Sequence, residues 1–303
     1  MSLENKISVI LSVYNGSKYI SESVRSILNQ SHKNFELIII DDGSTDNSLS
    51  LCENLKKNDE RIILIKNSHK GLTRSLNDAL KISKGKFIAR QDSDDISLPK
   101  RLEKQLQWFM TSNKKVLCGT NCKILSDKNK LKVNWSIKYK NYDIKKKLEY
   151  SNCFVHSSVM FLRDKAEMFG FYDENLKYAQ DYDLWWKLST IGEVGNLKEK
   201  LLTIRDLKAS ISRQNTNKQT LDFIKSNLKF YGYKKKLVNI DDNKDLGFYE
   251  KNKFTSDKTI IMKYFYNDKL ETKTYFRNLN LKQIIKLLRH PILLVRKIFK
   301  SFY

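Results

Sequence analysis

The feature that most constrains this chain is a regular alternation in its first hundred residues. Short β-branched apolar runs are each followed by a stretch of helical period. Ile7–Val13 is rich in β-branched and apolar residues and stops at Asn15-Gly16; Ile20, Val24, Ile27 and Leu28 then share one helical face. Phe35–Ile40 is a second strand ending at Asp41-Asp42-Gly43, and Asp46 is placed to cap a helix whose inner face is Leu49, Cys52 and Leu55. Arg61–Ile65 reads as a third strand. Leu72, Leu76, Ala79 and Leu80 mark a third helix closed by Gly85 as its C′ residue, and Phe87–Ala89 is a fourth strand. This α/β pattern predicts a mainly parallel sheet with helices on both faces.

In such a sheet, ligands bind beyond the carboxyl ends of the strands. Those ends carry Tyr14, Asn15 and Gly16 on the first strand, Asp41 and Asp42 on the second, and Asp92 and Asp94 after the fourth. Neither G-x-G-x-x-G nor G-x-x-x-x-G-K-[ST] occurs, so a dinucleotide fold and a P-loop are both unsupported. Carboxylates this close repel one another, and a divalent cation relieves the repulsion; oxygen ligands suit Mg²⁺ or Mn²⁺. A cation held by one or two carboxylates keeps open positions for a substrate diphosphate and neutralises charge on a departing nucleoside diphosphate. The plainer alternative is that Asp92, Asp94 and Asp95 cap a helix beginning near Leu98-Pro99.

Several segments then resemble, in order, the family 2 glycosyltransferases of the GT-A fold, of the bacterial surface-polysaccharide type. They are Ser8–Asn15, Phe35–Asp46, Gly71–Asn77, Lys84–Asp95 and Pro99–Gln105, followed by His156–Phe161, Gly170–Asp173 and Gln180–Trp185. The resemblance covers residues 6 to about 213 and implies a catalytic domain of 1–213 with a helical extension over 214–303. It implies an inverting, metal-dependent transfer of a hexose or N-acetylhexosamine from a nucleotide-sugar donor, UDP-linked by preference, to a glycan hydroxyl. By position, Asp41 resembles the carboxylate that reads the nucleotide base beside Tyr14, and Ser12, Asn15, Arg74 and Ser93 join the nucleotide-sugar site. Asp92 and Asp94 resemble the D-x-D pair, the first near the ribose and the second on Mn²⁺ or Mg²⁺. Asp181 matches the general base for the acceptor hydroxyl. Arg74 and Arg213 are candidates to receive leaving-group charge, with a plain surface role open for Arg74. His156 and Trp185 are assigned to the acceptor side. A structural histidine stays the alternative for the first, and at most one of Trp185 and Trp186 can face a ligand. Two departures stand out: Gln180 precedes the base where the family commonly has an acid, and Leu207 stands where many members carry a histidine.

Charge separates the tail from the rest. The net +23 distributes as +2 over residues 1–100, +7 over 101–200 and +14 over 201–303, and no acid follows Glu271. Residues 216–236 and 256–268 read as helices. From Asn280 to Tyr303 apolar residues recur at three- and four-residue steps among Lys and Arg, interrupted at Pro291. A basic amphipathic segment fits an anionic membrane surface bearing a lipid-linked acceptor, or else docks on the main domain. No signal-peptide pattern and no apolar run near ~18 residues is present, so a cytoplasmic protein, peripheral at the inner membrane face, is expected. Cys52, Cys118, Cys122 and Cys153 form no zinc spacing and read as buried. Nucleic-acid binding, which charge alone would allow, lacks a motif and is not expected. It and an inactive nucleotide-sugar-binding homologue are the alternatives carried forward.

Overall fold

The structure, a computed structural model, describes residues 5–126, 131–132, 137–148, 151–207 and 226. Arg213, nearly all of the helices expected at 216–236 and 256–268, and the segment 280–303 lie outside the described residues. The chain divides into one unit of Met1–Leu148 with Asn152–Asp222 and a second of Glu149–Ser151 with Phe223–Tyr303.

In the first unit the expected alternation forms β1 (Ile7–Val13), α1 (Ile20–Leu28), β2 (Phe35–Asp41), α2 (Ser48–Asn58), β3 (Ile62–Lys66), α3 (Leu72–Ile82) and β4 (Phe87–Asp92). There follow β5 (Ile96–Ser97), α4 (Arg101–Met110), β6 (Lys115–Ser126), β7 (Leu131–Lys132) and α5 (Asn141–Leu148). A 3₁₀ turn at His156–Ser158 then leads to β8 (Met160–Leu162), α6 (Arg163–Glu167), α7 (Gln180–Ile191) and β9 (Glu193–Asp206). The sheet runs β3-β2-β1-β4-β8-β6-β9-β5, with β7 beside β6. Strands β1 to β4 are mutually parallel, and β8 enters antiparallel between β4 and β6. β1 and β2 are covered on both faces and are buried almost throughout, which is why they read as continuous apolar runs rather than alternating ones. Each fully buried Ile, Leu or Val there contributes about 1.5–3 kcal/mol of transfer free energy.

The structure moves two expected boundaries. Helix α3 ends at Ile82 with extended Ser83 as its cap, so Gly85 is not a helix C′ residue. Gly85 is instead pressed against β1: a Cβ there would lie 2.4 Å from the Ser8 amide nitrogen, and its own N–H donates to Ser8 Oγ at 2.8 Å. Strand β4 continues three residues beyond Ala89, because Arg90, Gln91 and Asp92 stay in register with Ile10, Leu11 and Ser12. That extension carries Asp92 to the end of a strand. Helix α4 begins at Arg101 with Lys100 at its N-cap, so Asp92, Asp94 and Asp95 cap no helix at Leu98-Pro99.

Arg101 explains part of the Pro99–Gln105 segment. Its side chain is fully buried, and its donors reach Gln91 Oε1, Ser97 Oγ, Gln105 Oε1 and the carbonyls of Arg90 and Val159. Burial and the neighbouring Arg90 charge push its pKa down to about 9. A cation clamped by neutral oxygens thus ties β4, β5 and the entry to β8 together. The four cysteines are buried and free, and burial pushes each thiol up.

Candidate active site at the carboxyl edge of the sheet

Register brings the first half of the site together. Val13 pairs with Asp41, and Ser12 lies between Ile40 and Asp92, so three strand ends meet on one edge. Asp41 is buried; its Oδ1 accepts the Ser44 N–H at 3.0 Å, while Oδ2 is enclosed without a hydrogen-bond partner. Such an oxygen costs about 1–3 kcal/mol unless a donor reaches it, so it suits a ligand N–H. Tyr14, half-exposed at the end of β1, stacks on His69 with ring centroids 4.1 Å apart. Sequence reasoning missed His69. Gly43 makes room for it: at φ +77°, a Cβ there would lie 2.8 Å from the His69 amide nitrogen.

Asn15 and Asp46 brace this edge. Asn15 Oδ1 accepts the N–H groups of Thr45 (2.8 Å) and Asp46 (3.3 Å), so the structure gives its carbonyl oxygen to the neighbouring loop. Asp46 accepts from the Ser48 N–H and hydroxyl and from the Ser17 N–H. Its slight burial would raise its pKa, but those donors win and hold it down to about 2. Asp42, also missed as a separate role, points away from Asp41. It accepts from the N–H groups of Lys70 and Gly71 and from the Ser75 hydroxyl, a carboxylate on the amino end of α3. Arg74, on α3, is largely exposed and has Nε 3.5 Å from Glu174, so the structure gives it a surface ion pair.

After β4, the carboxylates of Asp92, Asp94 and Asp95 each offer an oxygen within 4.8 Å of the others. Burial, with the Asp92 charge beside them, pushes Asp94 up to about 6 and Asp95 up to about 8. Hard oxygen donors in mutual repulsion fit a divalent cation of the Mg²⁺ or Mn²⁺ kind. Ser93 sits against the β1–α1 loop, where a Cβ on Gly16 would come 3.4 Å from its Oγ. Arg205, from β9, clamps the loop: it donates to the Asp94 carbonyl and to Glu22, and its N–H reaches Asp95 Oδ1 at 3.1 Å. Leu207 has no side-chain ligand atom; among the described residues, the carboxylate of Asp95 is the third that lies close enough to join Asp92 and Asp94.

The remaining candidate residues gather around the start of α7. Asp181, half-buried in its first turn, accepts from Asn152 Nδ2 at 2.8 Å. Burial raises its pKa, while the Tyr182 N–H, Asn152 and Arg90 oppose that rise. A carboxylate displaced upward is a stronger proton acceptor. Gln180 beside it is buried, with Oε1 enclosed and without a hydrogen-bond partner. Burial, then the Arg90 charge, pushes His156 well below its ordinary value; the ring is neutral, with Nε2 3.0 Å from the Tyr172 hydroxyl. The acceptor platform expected of Trp185 is not present. Its indole is 0% exposed and packs edge-on against Phe154, His156 and Tyr172, and Trp186 is also buried. Both indoles are more valuable as core than as surface, since each buries up to ~250 Å².

The family description "Glycosyl transferase family 2" matches residues 8–169. The O-antigen biosynthesis glycosyltransferase WbnJ of Escherichia coli is 34% identical over 72% of this chain and 84% of its own length. The solved structure of S. aureus TarS 1-349 in complex with UDP-GlcNAc superposes with a TM-score of 0.60, at 20% identity, over 72% of this chain and 64% of that one. The mannosyltransferase PcManGT from Pyrobaculum calidifontis, in complex with GDP-Man and Mn²⁺, gives 0.56 at 16% identity over 74% and 64%. At those identities the two structures establish a shared fold, the GT-A-like mixed sheet with flanking helices.

Proposed function

Because the chain belongs to glycosyl transferase family 2, we propose that it is an inverting hexosyl- or N-acetylhexosaminyltransferase of surface-polysaccharide synthesis. Its donor would be a UDP-linked sugar and its acceptor a hydroxyl of a lipid-linked glycan. The observation that carries this reading is the strand-end group of Asp41, with an enclosed unpartnered oxygen, and the Asp92, Asp94, Asp95 cluster, with Asp181 in the first turn of α7 as the candidate base. The UDP-GlcNAc of TarS and the O-antigen role of WbnJ support the donor and pathway class. The Mn²⁺ of PcManGT supports a cation at the cluster.

Each residue then has a task. The enclosed Asp41 Oδ2 accepts an N–H of the nucleotide base, and Tyr14 lends its ring face to that base. Asp92, Asp94 and Asp95 would hold the cation, which when bound neutralises charge on the diphosphate. Asp181 takes the proton of the acceptor hydroxyl as its oxygen attacks the anomeric carbon from the side opposite the leaving group. The bond to the diphosphate breaks as the new glycosidic bond forms, so an α-linked donor yields a β-glycoside. Residues 280–303 are proposed to hold the enzyme on the anionic inner membrane face, as part of an extension following a catalytic domain of 1–213. Among the described residues, no helix is long and apolar enough to cross a membrane.

The test is a donor screen reporting nucleoside diphosphate release from UDP-glucose, UDP-galactose, UDP-N-acetylhexosamines and dTDP-rhamnose, with and without Mn²⁺ or Mg²⁺. One donor should turn over, and only with the cation. Asp181→Asn should lower turnover by at least about 10²-fold while UDP binding persists. Turnover equal to the parent would overturn the assignment of the base. Truncation at residue 279 should release the protein from anionic vesicles; unchanged vesicle binding would overturn the role of the tail.

A further inference from the structure

The excess charge of the first unit is concentrated rather than spread. Residues 138–148 hold five lysines and a single acid, Asp143, so eleven residues supply more than half of the +7 carried by residues 101–200. The run starts against β9, where the carbonyls of Lys138 and Tyr139 accept from Asn196 Nδ2 at 2.8 Å and from its N–H at 3.2 Å. It then forms α5, whose Ile144 and Leu148 are enclosed. At about 100° per residue, Tyr142 and Lys146 stand on the opposite side of the helix, one turn apart, with Lys145 and Lys147 flanking them. Tyr142 is 73% exposed, more than any other large hydrophobic side chain among the described residues.

Elsewhere in this unit lysines are spent on acids: Lys66 on Glu53, Lys70 on Asp78 and Lys187 on Asp183, each within 3.2 Å. Among the described residues, Lys138, Lys140, Lys146 and Lys147 form no ion pair. Anionic headgroups supply the counter-charges that the chain withholds here. The ring of Tyr142, an apolar body with a polar tip, suits the boundary between headgroups and acyl chains. Single-stranded nucleic acid would need successive exposed aromatics for its bases, and α5 presents one.

We infer that this face of α5, Tyr142 with Lys138, Lys140, Lys146 and Lys147, is a membrane contact separate from the tail, seated on anionic phospholipid headgroups. Its place gives the contact a use. The Tyr182 hydroxyl donates to the Leu148 carbonyl, so the last turn of α5 is tied to the first turn of α7, beside Asp181. Asp181 accepts from Asn152, four residues beyond α5. Seating α5 therefore sets the height of Asp181 over the lipid. That use rests on the readings of Asp181 as the base and of a lipid-linked acceptor; the contact itself rests on neither. Durable peripheral binding takes two weak signals, so loss of either α5 or the tail lowers retention.

The experiment measures co-sedimentation of the whole chain with vesicles of phosphatidylglycerol and phosphatidylcholine, against phosphatidylcholine alone, at rising salt. The parent should bind the first, not the second, and be released by salt. Replacing three exposed lysines together, Lys138→Gln, Lys140→Gln and Lys146→Gln, should weaken partition by about 10²-fold. The same charge removed from exposed positions of α2 and α3, by Lys56→Gln, Lys57→Gln and Lys81→Gln, should cost less than about threefold, with melting temperatures equal in both. Equal losses in the two triple variants, or a parent that ignores anionic vesicles, overturn the proposal. So does single-stranded DNA binding that falls by the same factor in the α5 variant, which would reassign the face to nucleic acid. A polarity-sensitive fluorophore on Tyr142→Cys should shift to the blue with anionic vesicles; no shift overturns the seating of the ring. An α5 variant bound like the parent, beside release on truncation at residue 279, sinks the α5 contact and leaves the tail. The converse sinks the tail and supports α5.

Discussion

The two ends of one sheet treat buried carboxylates in opposite ways. At the amino edge, Glu36 on β2 is surrounded by donors: Lys6 Nζ at 2.7 Å, Ser8 Oγ at 2.5 Å and the Lys84 N–H at 2.7 Å. Burial would raise its pKa, yet these partners outweigh burial and hold it below the ordinary value. At the carboxyl edge, Asp94 and Asp95 are pushed upward and Asp41 keeps an oxygen without a partner. One sheet thus carries a fully paired carboxylate at its amino edge and, beside paired ones such as Asp42, a group of mutually repelling carboxylates at its carboxyl edge. Such an arrangement costs stability by itself, and a bound cation or ligand N–H would relieve it.

The sharpest way to break this contrast is to neutralise one group at each edge. Asp94→Asn should cut turnover by roughly 10³-fold through loss of a cation ligand, while leaving the melting temperature unchanged or higher. Glu36→Gln should do the reverse, removing a charged acceptor at a cost of about 1.5–3 kcal/mol in urea unfolding with turnover per folded molecule intact. Equal effects of both substitutions on stability would erase the distinction between the edges.

A smaller effect has opposite sign at the two ends. Asp95 has a folded pKa raised from 3.8 to about 8, so the folded state binds more protons than the unfolded one across that interval. Its contribution is fully present below about pH 4 and is lost as pH rises toward 8. Glu36 has a lowered folded pKa, so its contribution is present above its ordinary value of 4.5 and disappears as pH falls through the folded value. Without divalent ions, the Asp95 contribution should therefore lower the melting temperature between pH 5 and 8. Added Mn²⁺ should raise that temperature more at pH 8 than at pH 5, where protons compete for the same oxygens. A Mn²⁺ effect independent of pH would remove Asp95 from the cation site.

Much of this was legible in residue order. The elements β1 to β4 and α1 to α3 follow from apolar period, and parallel connection then obliges Tyr14, Asp41 and Asp92 to share an edge. What stayed hidden depends on partners distant in sequence. Arg90 reads as a polar interruption at the end of an apolar strand until its ion pair and its neighbours His156 and Tyr172 are placed around it. Asp42 reads only as the neighbour of Asp41 at the strand end, yet it accepts from the N–H groups of Lys70 and Gly71 at the amino end of α3. Trp185 and Trp186 are both enclosed because α7 is buried nearly all round, Tyr182 through Trp186 without a break. Periodicity tells which residues share a face and not what the face meets.

The four cysteines carry a practical consequence. Cys52, Cys118, Cys122 and Cys153 are enclosed, and burial keeps their thiols protonated at neutral pH. Thiolate is the reactive form, so alkylating probes are expected to react only slowly with the folded protein. Three of the four sit in different elements, α2, β6 and the segment before the 3₁₀ turn, with Cys122 further along β6. Their alkylation rates would time the opening of separate parts of the fold, and a cysteine engineered onto the surface could be labelled against a dark background.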